Sequence, residues 1–121
     1  MSVNGSRSES PSPAGPVTIT DWLVCINNND GILAVSCTVN TVDSSEGITG
    51  VGLILNTSGG KTVASAYVGM SGGSKTATPG INMPAAGFAE GESVSVVAQG
   101  ECNGKHFFAE KDVIIGECQA P

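Results

Sequence analysis

The sequence has few charged side chains, few aromatic rings and a single histidine, and each shortage excludes a class of function. Charged residues make up 13% of the 121 residues, and the basic ones are scattered singly: Arg7, Lys61, Lys75, Lys105 and Lys111. A phosphate backbone requires a continuous cationic surface, so we expect no nucleic-acid partner. No apolar run approaches the roughly 18 residues of a membrane-spanning helix, so we expect no membrane insertion.

Catalytic and metal-binding patterns are also scarce. His106 has no second histidine with which to form a two-histidine metal site, and the four cysteines contain no close C-x-x-C pair. No serine lies in a nucleophile-elbow pattern with a histidine and an acid placed to activate it. We therefore predict a non-enzymatic protein with no metal and no cofactor.

The first residues differ in composition from the rest of the chain. Residues 1–16 are rich in serine, proline and glycine, and they contain too few apolar side chains to offset the entropy of ordering. From Val17 onward, short runs rich in Val, Ile and Thr alternate with turn residues. We predict a disordered leader or linker over residues 1–16 and one domain over residues 17–121.

The domain has the pattern of an all-β protein. Asn103 and Gly104 are the favoured pair for a type I′ turn, and no segment has a sustained helical period. Seven strands joined by hairpins predict two packed antiparallel sheets, with a small β-barrel as the alternative. The predicted strands are 17–26, 32–40, 48–56, 62–68, 75–82, 93–102 and 105–115.

This arrangement resembles immunoglobulin and fibronectin type III domains, which are sandwiches of two antiparallel sheets. The resemblance extends from Val17 to Ile115 and implies a seven-stranded immunoglobulin-like sandwich. Two immunoglobulin features are missing: Trp22 lies on the first strand instead of the third, and Gly100 stands where a corner tyrosine is expected. Because one fold hosts many activities, the resemblance implies no particular function.

Strand alternation predicts where two of the four cysteines point. Successive side chains of a strand face opposite sides of its sheet. Cys37 shares a face with Val35, and Cys102 shares a face with Val96 and Ala98. We therefore predict that both cysteines face the core.

Four cysteines in a small domain are typical of an oxidising compartment, where disulfides supplement a limited core. Four cysteines allow three connectivities. We favour a Cys37–Cys102 bridge across the core, worth about 4 kcal/mol, together with a Cys25–Cys118 bridge where the strand edges meet. In the alternative, Cys25 pairs with Cys37 across the first hairpin. We predict an extracellular, cell-surface or periplasmic location.

The leading functional hypothesis is a module for protein binding or cell adhesion. Phe107 and Phe108 are adjacent on a predicted strand, so one of them is expected at the surface. We predict that His106, Phe107 and Phe108 mark a contact surface near the last turn. A second hypothesis, suggested by the weakly charged, Gly- and Thr-rich composition, is a self-associating structural subunit of a surface layer, pilus or virion.

A third hypothesis concerns the C-terminal cysteine. Residues 111–118 place Cys118 on a short arm after the last predicted strand. This arm resembles that of the periplasmic sulfur-carrier subunits of thiosulfate oxidation, which are immunoglobulin-like and hold substrate on a terminal cysteine. The resemblance implies a free, reactive thiol at Cys118, although Glu117 and Gln119 replace the expected flanking glycines.

Overall fold

The computed structural model describes residues 12–43 and 45–118. All regular secondary structure in these residues is β-strand, and no helix occurs among them. The strands are β1 (Ser12–Ala14), β2 (Val17–Asn27), β3 (Ile32–Thr41), β4 (Ile48–Thr57), β5 (Thr62–Ser74), β6 (Thr76–Ala77), β7 (Gly80–Pro84), β8 (Ser93–Cys102), β9 (Lys105–Ile114) and β10 (Gly116–Glu117).

The strands form two sheets with one apolar core between them, as in a β-sandwich. In the six-stranded sheet, β2 pairs with β3, β6 and β7 pair with the other side of β3, and β1 and β10 pair with β2. In the four-stranded sheet the order is β5-β4-β8-β9, and every pair is antiparallel. The predicted sandwich is confirmed, because the two sheets remain separate and do not close into a barrel.

The described residues form ten strands where seven are predicted, and several boundaries differ: β5 continues to Ser74 beyond its predicted end at 68, and β10 is an additional strand. The predicted strand over residues 75–82 is divided into β6 and β7 at Thr78 and Pro79, because proline has no N–H for the ladder. Ser12–Ala14, which the prediction assigns to the leader, form β1 by pairing with β2. Residues 1–11 of that leader lie outside the described residues.

A bulge in β2 changes which of its residues face the core. The register with β3 shifts between Thr20 and Leu23, and Asp21 has a positive φ of 55°. The extra residue turns Trp22 into the core, where it is fully buried, and leaves Asp21 exposed. Beyond the bulge, Cys25 lies on the outer side of β2 and outside the core cluster.

The disulfide pattern is half of the predicted one. Cys25 and Cys118 form a disulfide with Cα atoms 4.9 Å apart, which confirms that pair and excludes the alternative bridge between Cys25 and Cys37. The predicted Cys37–Cys102 bridge is wrong, because both side chains are free thiols. Their predicted direction is correct, since both are buried in the core cluster.

The strand registers explain why the two core thiols do not meet. Cys102 ends β8 and pairs with Ile48, at the end of the sandwich where β3 also ends. Cys37 lies near the middle of β3, about 13 Å before that end at the usual rise per residue. A disulfide requires Cα atoms within about 7 Å, so the two thiols lie at different heights in the core.

Candidate binding face

The four-stranded sheet has one side turned away from the core, which we call the outer face. The strand pairing places Tyr67 and Phe108 at the two ends of one row across this face, with Gln99 between them. Neighbouring strands lie about 4.8 Å apart, so the strands of the two rings are about 14 Å apart. The outer face comprises Gly50, Gly52, Ile54, Asn56, Ser65, Tyr67, Gly69, Ser93, Ser95, Val97, Gln99, Glu101, His106, Phe108, Glu110, Asp112 and Ile114.

Tyr67 lies across the backbone of β4 because β4 carries two glycines on the outer face. A Cβ at Gly50 would overlap Tyr67 Oη, and a Cβ at Gly52 would lie 3.5 Å from Tyr67 Cδ2. Glycine inside a strand commonly permits such a close approach. The residue is nevertheless 70% exposed, so the sheet presents this ring at its surface.

A shallow groove of about 260 Å³ lies beside Tyr67. Gln99, Glu101 and His106 line it together with the ring and with the backbone of Gly52. The amide of Gln99 can donate and accept hydrogen bonds, and the carboxyl oxygens of Glu101 can accept them. The groove therefore offers an apolar wall beside several polar groups.

A second groove, of about 420 Å³, lies at the other end of the outer face. Polar side chains predominate in its lining, among them those of Asn56, Ser95 and Asp112. Ser95 Oγ donates a 2.7 Å hydrogen bond to Glu110 Oε2, and Thr62 Oγ1 donates one of 2.6 Å to Asn56 Oδ1. These bonds orient the polar groups of this end.

The outer face is acidic. Glu101, Glu110 and Asp112 lie on it, whereas none of its residues is a lysine or an arginine. Lys105 and Lys111 of β9 alternate with the outward-facing residues, so their side chains leave the strand on the opposite side of the sheet. A face of this charge attracts a basic partner.

Two of the three predicted contact residues lie on the outer face. His106 is exposed and Phe108 is 54% exposed, whereas Phe107 is 2% exposed and packs in the core. Phe107 is therefore no part of this surface, because adjacent residues of a strand face opposite sides. Sequence reasoning missed Tyr67, for which the available signal is Gly50 and Gly52 within an otherwise apolar strand.

The two free thiols are poor nucleophiles. Burial raises the pKa of Cys37 to about 12. Burial and the nearby carboxylate of Glu46 raise the pKa of Cys102, with Lys105 opposing them. Because the thiolate is the reactive form, both side chains stay protonated at neutral pH.

The sulfur-carrier hypothesis is wrong, because Cys118 is bonded to Cys25 and has no free thiol. The backbone is attached as well: β10 pairs with β2 at Cys25 and Ile26, and the N–H of Cys118 donates to Ile26 O at 3.0 Å. The arm is therefore held against β2 as far as Cys118.

Within residues 12–43 and 45–118, no group of three or more His, Cys, Asp or Glu side chains could hold a metal ion. No helix in the same residues is long and apolar enough to cross a membrane. The Cys25–Cys118 disulfide is typical of an oxidising, non-cytoplasmic compartment.

No protein-family model matches the chain, and no curated protein matches it. Among solved structures, it is similar to a DUF3823 family protein from Bacteroides ovatus ATCC 8483, with a TM-score of 0.52 and 13% sequence identity. The match covers 85% of this chain and 56% of that chain, so this chain spans little more than half of that structure. At this identity the likeness shows the fold alone.

Proposed function

We propose that this domain is a non-enzymatic binding module that contacts another protein through the outer face. One observation carries the proposal: Tyr67 and Phe108 are exposed at the two ends of one row, with Gln99 between them. Exposed aromatic anchors among polar groups are typical of the residues that dominate binding energy in protein interfaces. The chain has one tyrosine, one tryptophan and three phenylalanines, so this face presents two of its five aromatic residues.

The charge of the outer face indicates the chemistry of the partner. Glu101, Glu110 and Asp112 favour a partner that places Lys or Arg beside apolar side chains. Salt screens such attractions, so we expect binding to weaken as ionic strength rises.

The disulfide supports an extracellular, cell-surface or periplasmic location for this module. The strand order supports its assignment to the immunoglobulin and fibronectin type III group, because a β2-β3-β7 sheet faces a β5-β4-β8-β9 sheet. Trp22 on β2 and Gly100 on β8 would make it a divergent member.

A library of displayed random peptides tests this proposal. Peptides selected on the immobilised wild-type protein are measured again on the double variant Tyr67→Ala, Phe108→Ala. We expect selected peptides to be rich in basic and apolar residues, and the double variant to bind them at least about tenfold more weakly, because each anchor is worth more than about 1 kcal/mol.

Val42→Ala is the matched control, because Val42 is 64% exposed and lies outside the four-stranded sheet. Its affinity for the selected peptides should equal that of the wild type. Equal binding by the wild type and the double variant, or no enrichment of peptides at all, would contradict the proposal.

A further inference from the structure

Strand β5 is an edge with one side of its backbone open. Within the described part of the chain it pairs with β4 and with no other strand. An edge strand presents a row of N–H and C=O groups along its open side, and another extended chain satisfies them. The open side of β5 therefore fits another β-strand as its binding partner.

The open edge lacks the usual protection against pairing. Residues 62–74 contain no charged side chain and no proline. At the opposite edge of the same sheet, β9 carries Lys105, Glu110, Lys111 and Asp112. Charged side chains, prolines and covering segments are the devices that protect natural edge strands. β9 has the first of these devices, whereas β5 has none of the three in the described structure. The register shifts of β5 with β4 lie on either side of its regular segment at residues 64–69.

Apolar surface remains exposed along β5. Val68 is 46% exposed, although its position in the strand alternates with the outward-facing Tyr67. The ring of Tyr67 lies over Gly50 and Gly52 of the neighbouring strand, on the side of β5 that is already paired. Tyr67 therefore does not shield the open side of the backbone.

We propose that β5 pairs antiparallel with β5 of a second copy of this chain, joining two four-stranded sheets into one of eight strands. This inference goes beyond the binding module and does not depend on it. With the twofold axis near Ala66, each Tyr67 faces Ser65 of the second copy, and each Val68 faces Ala64. A large side chain thus meets a small one at each of these pairs, and no charge opposes another charge.

Self-pairing accounts for the features of this edge better than a foreign strand does. β5 carries no charge with which to select a partner of opposite sign. The twofold arrangement is closed, because the charged β9 edge does not continue the sheet. The net charge of −6 on each copy opposes association, so dimerisation should strengthen as salt rises.

Sedimentation velocity from about 10 µM to about 1 mM tests the pairing. Wild-type protein should pass reversibly from monomer to dimer, and the β5 amide protons should exchange more slowly as concentration rises. Ser65→Lys and Ser65→Glu each place two like charges about 7–8 Å apart across the axis, so each should weaken dimerisation at least about tenfold at low salt. An equimolar mixture of the two variants should restore it.

Ser93→Lys and Ser93→Glu are the matched controls, because Ser93 is an exposed serine that begins β8, an interior strand of the sheet. They change the net charge equally and should dimerise as the wild type does. A wild type that stays monomeric at about 1 mM would overturn the proposal and leave a strand of a different protein as the occupant. Edge variants that dimerise as well as the wild type, or growth beyond the dimer, would overturn it too.

Discussion

The side of β2 that faces away from β3 is covered, whereas the side of β5 that faces away from β4 is open. β1 pairs with β2 at Val17–Ile19, and β10 pairs with it at Cys25 and Ile26, where the disulfide fixes the C-terminal arm. Between these segments lies the bulge with the exposed charge of Asp21. β5 has no covering strand, charge or proline in the described structure.

This difference shows how a small sandwich restricts association to one place. Covering segments, a bulge and an inward or exposed charge each discourage a strand from adding to an edge. The β2 edge has a covering strand at each end and a charged bulge between them, and the β9 edge has charged side chains. β6 and β7 are short and are bounded by Pro79 and Pro84. Among the described strands, β5 is therefore the expected site of contact with another strand, through its regular segment at residues 64–69.

Removal of the disulfide should have the largest effect on this contrast. Cys25 and Cys118 are 93 residues apart in sequence, and the loop-entropy model gives about 4–5 kcal/mol for such a closure. We expect the double variant Cys25→Ala, Cys118→Ala to lose this much free energy of unfolding and to open the end of the β2 edge. Urea unfolding followed by the fluorescence of Trp22, the one tryptophan, measures the loss.

A reducing agent provides the control for that measurement. It should destabilise the wild type and leave the double variant unchanged, because the variant has no disulfide to reduce. If the wild type and the variant unfold at the same urea concentration, the disulfide does not stabilise the closed edge.

The buried thiol of Cys37 forms no disulfide, but it should make the free energy of unfolding depend on pH. The pKa of Cys37 is raised from 9.0 to about 12, so above pH 9 the unfolded chain releases a proton that the folded chain retains. The stabilisation is complete below pH 9, and it should be lost by up to about 1.4 kcal/mol per pH unit as pH rises toward 12.

Cys37→Ala should remove this part of the pH dependence while lowering stability by a constant amount. Urea unfolding of both proteins at several pH values between 9 and 12 gives the two slopes. Parallel slopes would show that the Cys37 thiol is not protected by the core.

Substitution of Gly50 should disturb the outer face of the four-stranded sheet beside β5. A Cβ at Gly50 overlaps Tyr67 Oη, so Gly50→Ala forces the ring away. The expected loss is at most about 1 kcal/mol, because the overlapping atom is the far end of an exposed side chain. Gly52→Ala is the control, because its Cβ would lie at an ordinary contact distance of 3.5 Å from the ring. Tyr67 is the only tyrosine, so its ring NMR signals report the displacement without ambiguity. Unchanged ring signals in Gly50→Ala would contradict the packing described for Tyr67.

The smallest effect is expected at the bulge. Asp21 has a φ of 55°, a conformation that glycine adopts without strain, so Asp21→Gly should raise the free energy of unfolding by about 0.5–1 kcal/mol. Asp21→Val should lower it, because a β-branched residue is strained at that φ. Urea unfolding of both variants checks the two signs, and a loss in Asp21→Gly would mean that the charge or its contacts outweigh the backbone strain.

Much of the fold follows from local pattern. The limits of β8 match the prediction, and Cys37 and Cys102 face the core as their strand parity indicates. The candidate site was harder to predict from the sequence. Strand parity placed one of Phe107 and Phe108 at the surface, but it did not identify Tyr67. The position of that ring depends on glycines of the neighbouring strand, which approach it only after the sheet has formed.

The sequence by itself determined most of the long strands, most of their turns and the faces of the core cysteines, because alternation and turn chemistry act over a few residues. The tertiary structure decided which cysteines bond and which edges are covered. Those outcomes depend on the register between strands far apart in sequence, and a shift of a few residues separates Cys37 from Cys102. The closed β2 edge and the open β5 edge are both results of that register.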